Sequence, residues 1–169
     1  FNTPHGACPA CQGLGIRQEI DPDLLIPDKE LSLNEGAIQA MEWINAKEQN
    51  KYYWQMLASA AKAYHINMDM PVKNIPEDKL NIILYGTNNK EVEMSLRSRD
   101  NHQTTVRASF EGVVTNLMRR YRETQSEYIR AKIQEFMSDK PCPVCKGERL
   151  RPESLAVTID DANIMQVTA

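Results

Sequence analysis

Four cysteines are the residues of this chain whose type and spacing most directly imply chemistry. They fall in two short segments, Cys8-Pro9-Ala10-Cys11-Gln12-Gly13 and Cys142-Pro143-Val144-Cys145-Lys146-Gly147, which share the pattern C-P-x-C-x-G. This is an internal repeat that uses every cysteine of the chain. Two residues between thiols let a tight turn aim both sulfurs at one ion, and Zn²⁺ takes four such ligands in a tetrahedron with Zn–S near about 2.3 Å. The proline restricts one turn angle, and the glycine two places after the second cysteine allows the backbone to curl past the sulfurs. A thioredoxin-like dithiol would need a single motif in a βαβ setting, and disulfides are the other alternative; paired knuckles favour one shared Zn²⁺ site. With four thiolates no coordination position stays open, so the expected role of the ion is structural.

Between Cys11 and Cys142 lie 130 residues, far more than the roughly 15–20 of an ordinary zinc ribbon. A site closing so long a loop makes the intervening segment an inserted domain. The expected organisation is a knuckle module from residues 1–15 and 141–169, with an insertion domain at 16–140.

The second chemical signal is charge. The chain of 169 residues carries a formal charge of -3, which alone argues against a nucleic-acid partner. Residues 97–132, however, hold a net +4, leaving -7 on the remainder. Arg97, Arg99 and Arg107 lie in or beside a strand pattern, and Arg119, Arg120 and Arg122 in a helix pattern. Arginines so placed bind phosphates by charge and by forked hydrogen bonds; the plainer reading is a solvated face with local ion pairs. Tyr52, Tyr53 and Trp54 offer base-stacking surfaces, although their helical spacing sends some of them to the core. His5, His65 and His102 are scattered polar residues, with His5 close enough to the first knuckle to lie near the metal. No phosphate loop, Ser/His/Asp set or paired-carboxylate set can be assembled, and the chain lacks the 18-residue apolar run of a membrane helix and a signal peptide. It begins without a methionine and reads as a piece of a longer chain.

The elements that must position these residues belong to an α+β class. Residues 16–40, with Pro22, Pro27 and Gly36, are expected as a loop-rich entry. Apolar spacing predicts a helix over 51–65 and a shorter one over 78–85 ended by Gly86. Alternation over 91–96 and 104–109 predicts a hairpin across Asp100-Asn101, and so a small antiparallel sheet with helices around it. A helix over 111–123 places Phe110, Val113, Val114, Leu117 and Tyr121 on one side, with Arg119 and Arg122 opposite. Thr124-Gln125-Ser126-Glu127 has the capping-box form for a following helix, whose stripe is Ile129, Ile133, Phe136 and Met137 and whose end is Asp139-Lys140-Pro141.

Three segments resemble the UvrA family, the damage-recognition ATPase subunit of bacterial nucleotide-excision repair. They are Phe1 through Gly15, Phe110 through Val114 with Arg119 through Thr124, and Pro141 through Leu150 with Arg151, Glu153 and Leu155 after it. The resemblance implies the first-half insertion domain of UvrA, mounted on zinc knuckles that join it to the first signature domain and facing DNA in a dimer. The second half of that family carries a similar knuckle pair, which supports placing all four cysteines on one Zn²⁺. It makes Arg119, Arg120 and Arg122 candidate DNA contacts; Arg97, Arg99 and Arg107 rest on charge alone. Implied partners are damaged duplex DNA, the rest of UvrA and its dimer mate, and UvrB through other parts of the parent chain, with no membrane and a cytoplasmic setting. The nucleotide-binding motifs of the parent ATPase are not in these residues, so the piece itself is not expected to be an enzyme. Two other classes compete: a zinc-stabilised protein-interaction module like the cysteine-rich domain of DnaJ chaperones, and a thiol oxidoreductase with an exposed low-pKa cysteine.

Overall fold

A computed structural model describes residues 5–40, 43–44, 52–98, 100, 102–159 and 161–168. The chain divides into two compact units, residues 20–137 and residues 1–19 with 138–169. Its sheets are three separate two-stranded pieces among several helices, an α+β fold.

In the larger unit, a single turn of helix, α1 (Pro22–Leu25), starts where the Asp21 side chain accepts the Asp23 N–H at 2.9 Å. Helix α2 (Tyr52–Ala63) buries Trp54, Leu57, Ala60 and Ala61, residues three or four apart that form one stripe. A 3₁₀ turn at Val72–Asn74 leads to α3 (Glu77–Tyr85), which stops at Gly86 with φ at 94°. Strands β2 (Glu91–Arg97) and β3 (Gln103–Ser109) pair antiparallel, with Met94 opposite Val106 and Arg97 opposite Gln103. The predicted hairpin and both predicted helices are present; Asn101 of the hairpin turn lies outside the described residues, as does the start of the first helix at residue 51.

The alternation of β2 explains how the hairpin is seated. Val92 and Met94 are buried, whereas Glu91, Glu93, Ser95 and Arg97 face solvent. The outer edge of β2 is closed by side chains of α2. Gln55 Oε1 accepts the Arg97 N–H and Gln55 Nε2 donates to the Arg97 carbonyl at 3.1 Å, while Ser59 Oγ accepts the Ser95 N–H at 3.2 Å. Strand β3 lacks such cover: apart from half-buried Ala108, all of its residues are exposed. It forms the outer edge of the unit.

Helix α4 (Val113–Glu123) begins at Gly112 and presses Val113, Val114 and Leu117 inward. The entry to α4 crosses the exit of α3 at backbone contact. A Cβ on Gly86 would lie 2.4 Å from the carbonyl oxygens of Phe110 and Glu111, and one on Gly112 2.4 Å from the Gly86 nitrogen. Helix α5 (Glu127–Gln134) starts two residues later than the capping-box pattern suggests. Ser126 is the N-cap, accepting the Ile129 N–H, while Thr124 closes α4 and its Oγ1 accepts the Ser126 N–H at 3.1 Å. The core is completed by Leu25, Leu33, Ile38, Trp43, Ile83, Phe110 and Ile133, all at or below 2% exposure.

Two expectations fail at the join between the units. Residues 16–20 are a strand, β1 (Ile16–Ile20), not a loop, and the predicted continuation of α5 through Phe136 to Asp139 is instead strand β4 (Met137–Pro141), its partner. Asp, Lys and Pro are poor strand formers, so local preference gives no hint of β4. Its pairing is imposed from both ends: the Asp21 N–H donates to the Phe136 carbonyl at 2.8 Å, and the Cys142 N–H donates to the Gly15 carbonyl at 2.9 Å.

The smaller unit adds a helical turn, α6 (Pro152–Leu155), a minimal hairpin of β5 (Thr158–Ile159) with β6 (Ala162–Asn163), and α7 (Ile164–Thr168). Its buried cluster, among the described residues, is the four cysteines.

Candidate metal centre and nucleic-acid interface

The two knuckles are built alike. In each, the residue after the second cysteine and the glycine beyond it take left-handed backbone angles: Gln12 at 52° and Gly13 at 83°, Lys146 at 50° and Gly147 at 98°. This turns the chain back so that the N–H four residues past the second cysteine meets its sulfur. Gly15 N–H donates to Cys11 Sγ at 3.2 Å, and Arg149 N–H to Cys145 Sγ at 3.3 Å. The knuckles then exchange bonds reciprocally. Cys8 N–H donates to the Arg149 carbonyl at 2.8 Å and Cys142 N–H to the Gly15 carbonyl at 2.9 Å, a local twofold arrangement. Gly15 admits no side chain without strain here, because its φ is 78° and a Cβ would stand 2.9 Å from the Gly147 carbonyl oxygen and 2.8 Å from the Arg149 side chain.

The result is four sulfurs within 4.8 Å of one another, all buried and none in a disulfide. A tetrahedron with Zn–S of about 2.3 Å has S···S edges of about 3.8 Å. Cys11 Sγ and Cys145 Sγ are 3.7 Å apart, which fits that edge and is far from the roughly 2.05 Å of a disulfide. The donor set therefore fits a four-thiolate metal. The N–H donors also prepare sulfur for a negative charge. Burial alone would push the Cys11 thiol up, but the Gly15 N–H, the Cys145 and Cys8 thiols and the Gly13 N–H together bring it down to about 7. The Cys145 N–H draws Cys142 below the ordinary thiol value, whereas burial pushes Cys145 up to about 11. His5 is exposed and stands outside the ligand cluster.

The nominated arginines are placed very differently from one another. Arg119 is held in a cage of carboxylates. Its Nε and Nη2 reach the two Glu111 oxygens at 2.7 and 3.2 Å, and its Nη1 reaches Glu123 at 2.8 Å. The Arg119 guanidinium in turn keeps the Glu111 carboxyl below its usual range, with help from the Asn116 amide. The guanidinium itself is held still more firmly in its charged form by Glu111 and then Glu123. Arg120 lies over the ring of Tyr53 at 5.5 Å, and Arg122 Nε donates to the Met118 carbonyl at 3.2 Å. On the hairpin, Arg107 is 4.0 Å from Glu91 and opposite Glu93 in the register. Arg97 is exposed, and its guanidinium makes no ion pair among the described residues. Arg99 lies outside the described residues.

Of the aromatic trio, Trp54 is core, Tyr53 is half-buried beneath Arg120, and Tyr52 is exposed. Sequence reasoning missed Gln55 and Ser59, which fasten the hairpin, and Gly15 and Arg149, which donate to sulfur. The last two stand four places after the second cysteine of each knuckle, a spacing that would have found them.

Comparison with known proteins meets this geometry at the larger unit. A family model described as the UvrA DNA-binding domain matches residues 21–135. The chain belongs to that family. Among curated relatives, the UvrABC system protein A of Methanothermobacter thermautotrophicus is 47% identical over 167 residues, and that of Oceanobacillus iheyensis 45% identical over 168. Each alignment takes in 99% of this chain but 17% of the relative, so the chain spans about a sixth of the length of the UvrA proteins it matches. The crystal structure of UvrA2 from Deinococcus radiodurans superposes with a TM-score of 0.68 at 25% identity, covering 96% of this chain and 20% of that one. The UvrA resemblance and the α+β fold stand confirmed on these matches.

Proposed function

We propose that this chain is the DNA-gripping insertion of a UvrA protein, carried on a zinc knuckle and serving damage recognition in nucleotide-excision repair. The observation that carries the proposal is coincidence: the family match at 21–135, under a DNA-binding description, falls on the 20–137 unit, which bears the nominated arginines. Lesions share no base sequence, so the grip acts on phosphates, with Arg97, Arg99 and Arg107 on the hairpin and Arg119, Arg120 and Arg122 on α4 as the candidate contacts. Within that set Arg97 is the favoured contact, because Arg119, Arg120, Arg122 and Arg107 already have intramolecular partners. Damaged duplex DNA is the ligand; the rest of the parent chain, its dimer mate and UvrB through other segments are the partners, in the cytoplasm.

Cys8, Cys11, Cys142 and Cys145 would hold one Zn²⁺, with residues 1–15 and 141–169 as the knuckle module and 16–140 as the insertion it carries. Bound there, the ion supplies a tetrahedral anchor and no open coordination position, which makes its role structural. The residues themselves do the rest. The paired N–H donors orient the sulfurs, and the reciprocal bonds between Cys8 and Arg149 and between Cys142 and Gly15 fix the spacing of the knuckles. The piece contributes binding, and nucleotide hydrolysis belongs to other parts of the parent.

Zinc content per chain and fluorescence anisotropy on duplex DNA across a salt series test this together. One Zn²⁺ is expected, with log K falling against log salt by about 0.9 per phosphate engaged. Salt-insensitive binding, or no binding to any DNA, would refute the DNA role.

A further inference from the structure

The tip half of the hairpin and the first turn of α2 form a corner. At its centre, Gln55 grips both backbone groups of Arg97, and one turn later Ser59 holds the Ser95 N–H. This double amide clamp fixes the point from which the Arg97 side chain leaves the sheet. The ladder residues around Arg97 are polar and uncharged: Ser95 lies two residues before it on β2, with Gln103 and Thr105 across the ladder, and Asp100 follows in the turn. Glu91 and Glu93 stand at the opposite end of the same face, beside Arg107. On the ladder itself, Arg97 is thus set apart from the two glutamates that face Arg107.

Tyr52 precedes Gln55 by three residues and so lies on the same side of α2 as the clamp. Its ring is 57% exposed although it ends an anchored row of aromatics. Tyr53 packs edge-on to it at 5.5 Å and sits against Trp43 at 5.0 Å; Trp43 meets Phe110 at 6.1 Å. Arg120 rests over Tyr53 at 5.5 Å. An exposed ring three residues before the clamp that holds Arg97, whose guanidinium makes no ion pair among the described residues, has the composition of a single-strand binding site, where aromatic rings stack on bases and cations hold the backbone.

We infer that this corner takes an unstacked nucleotide, Arg97 holding its phosphate and Tyr52 stacking on its base. The inference rests on the proposed DNA role and adds a preference to it. In intact duplex the bases are already stacked, and Tyr52 has nothing to bind. Where stacking is broken, the ring adds affinity that does not depend on base identity. Tyr52 is thus a specificity-determining residue and Arg97 a general one.

Anisotropy with this chain, on one 24-base-pair duplex and the same duplex carrying a central mismatched bubble, separates the two roles. Tyr52→Ala is expected to weaken bubble binding about fivefold or more, the lower range for loss of one stacked base, and duplex binding less than twofold. Tyr52→Phe keeps the ring and should stay within about twofold of wild type on both. Arg97→Ala should weaken both substrates and lower the salt slope by roughly one. If wild type binds both DNAs and Tyr52→Ala leaves their affinity ratio unchanged, or if Arg97→Ala is without effect on either, the corner is not the site. Absence of wild-type binding to both would instead overturn the DNA role, and this inference with it.

Discussion

Removing the Arg119 side chain separates what a basic helix looks like in sequence from what its arginines are free to do. Arg119→Ala breaks a two-point bridge to Glu111 and a single bridge to Glu123, whose side chains are 30% and 63% exposed against 44% for Arg119 itself. Exposed pairs of this kind contribute about 0.2–1 kcal/mol each, and the forked geometry on Glu111 puts that pair at the upper end. The expected loss is therefore about 1 kcal/mol at neutral pH, or about 2–4 °C in melting temperature for a chain of this size. The loss should depend on pH in a defined direction. Arg119, then Asn116, holds the Glu111 carboxyl below its ordinary value of 4.5 in the folded protein. A depressed carboxyl stabilises the fold above its unfolded pKa, and that contribution disappears as pH falls through the folded one. The gap between wild type and variant should thus be full at pH 7 and close progressively below about pH 4.5.

Because the fork is occupied, the same variant should change duplex affinity by less than about threefold, while Arg97→Ala should lose more and flatten the salt slope by roughly one. Thermal melts from pH 3 to 7, paired with anisotropy titrations, read both quantities. If Arg119→Ala costs as much affinity as Arg97→Ala and also reduces the salt slope, the carboxylate cage opens to DNA and the argument from its partners is wrong.

Two further outcomes follow from the packing. Stripping the metal should collapse the smaller unit, whose buried cluster is its four cysteines, while the apolar core around Leu57, Ile83, Leu117 and Ile133 keeps a cooperative melt. Thiol titration should then move from little reaction to four reactive thiols per chain, and rapid reaction of all four in metal-loaded protein would contradict a closed site. Gly86→Ala forces a Cβ to within 2.4 Å of two carbonyl oxygens at a φ of 94° and should cost about 3 kcal/mol or more, whereas Gly36→Ala, with φ at 88° and open space around it, should cost about 1–2 kcal/mol. Equal denaturation midpoints for the two variants would show that the crossing of α3 and α4 yields.

The elements legible in sequence were those with a strong period of their own. Alternating Val92 and Met94 marked the hairpin, and the stripe of Val113, Val114 and Leu117 marked α4. Strand β4 was illegible, because Met137-Ser138-Asp139-Lys140-Pro141 has neither alternation nor strand propensity. Hydrogen bonds between residues more than a hundred positions apart in the chain, Asp21 with Phe136 and Cys142 with Gly15, create it. The start of α5 was misplaced for a subtler reason: Thr124 and Ser126 both have cap chemistry, and Thr124 was needed to end α4.

Sequence by itself determined the composition of the four-cysteine cluster, since every cysteine of the chain falls in one of two matched turns. It also determined that basic charge gathers in residues 97–132. Only the tertiary structure decided which of those charges are available. Glu111 and Glu123 close on Arg119, and the Tyr53 ring lies under Arg120, through contacts that depend on helix direction and on neighbours far along the chain. Arg97 is left open because Gln55, forty-two residues earlier, takes up its backbone and leaves its side chain in solvent. Charge is a property of residue type and can be counted, but availability depends on what stands within a few ångströms, and that is decided by folding.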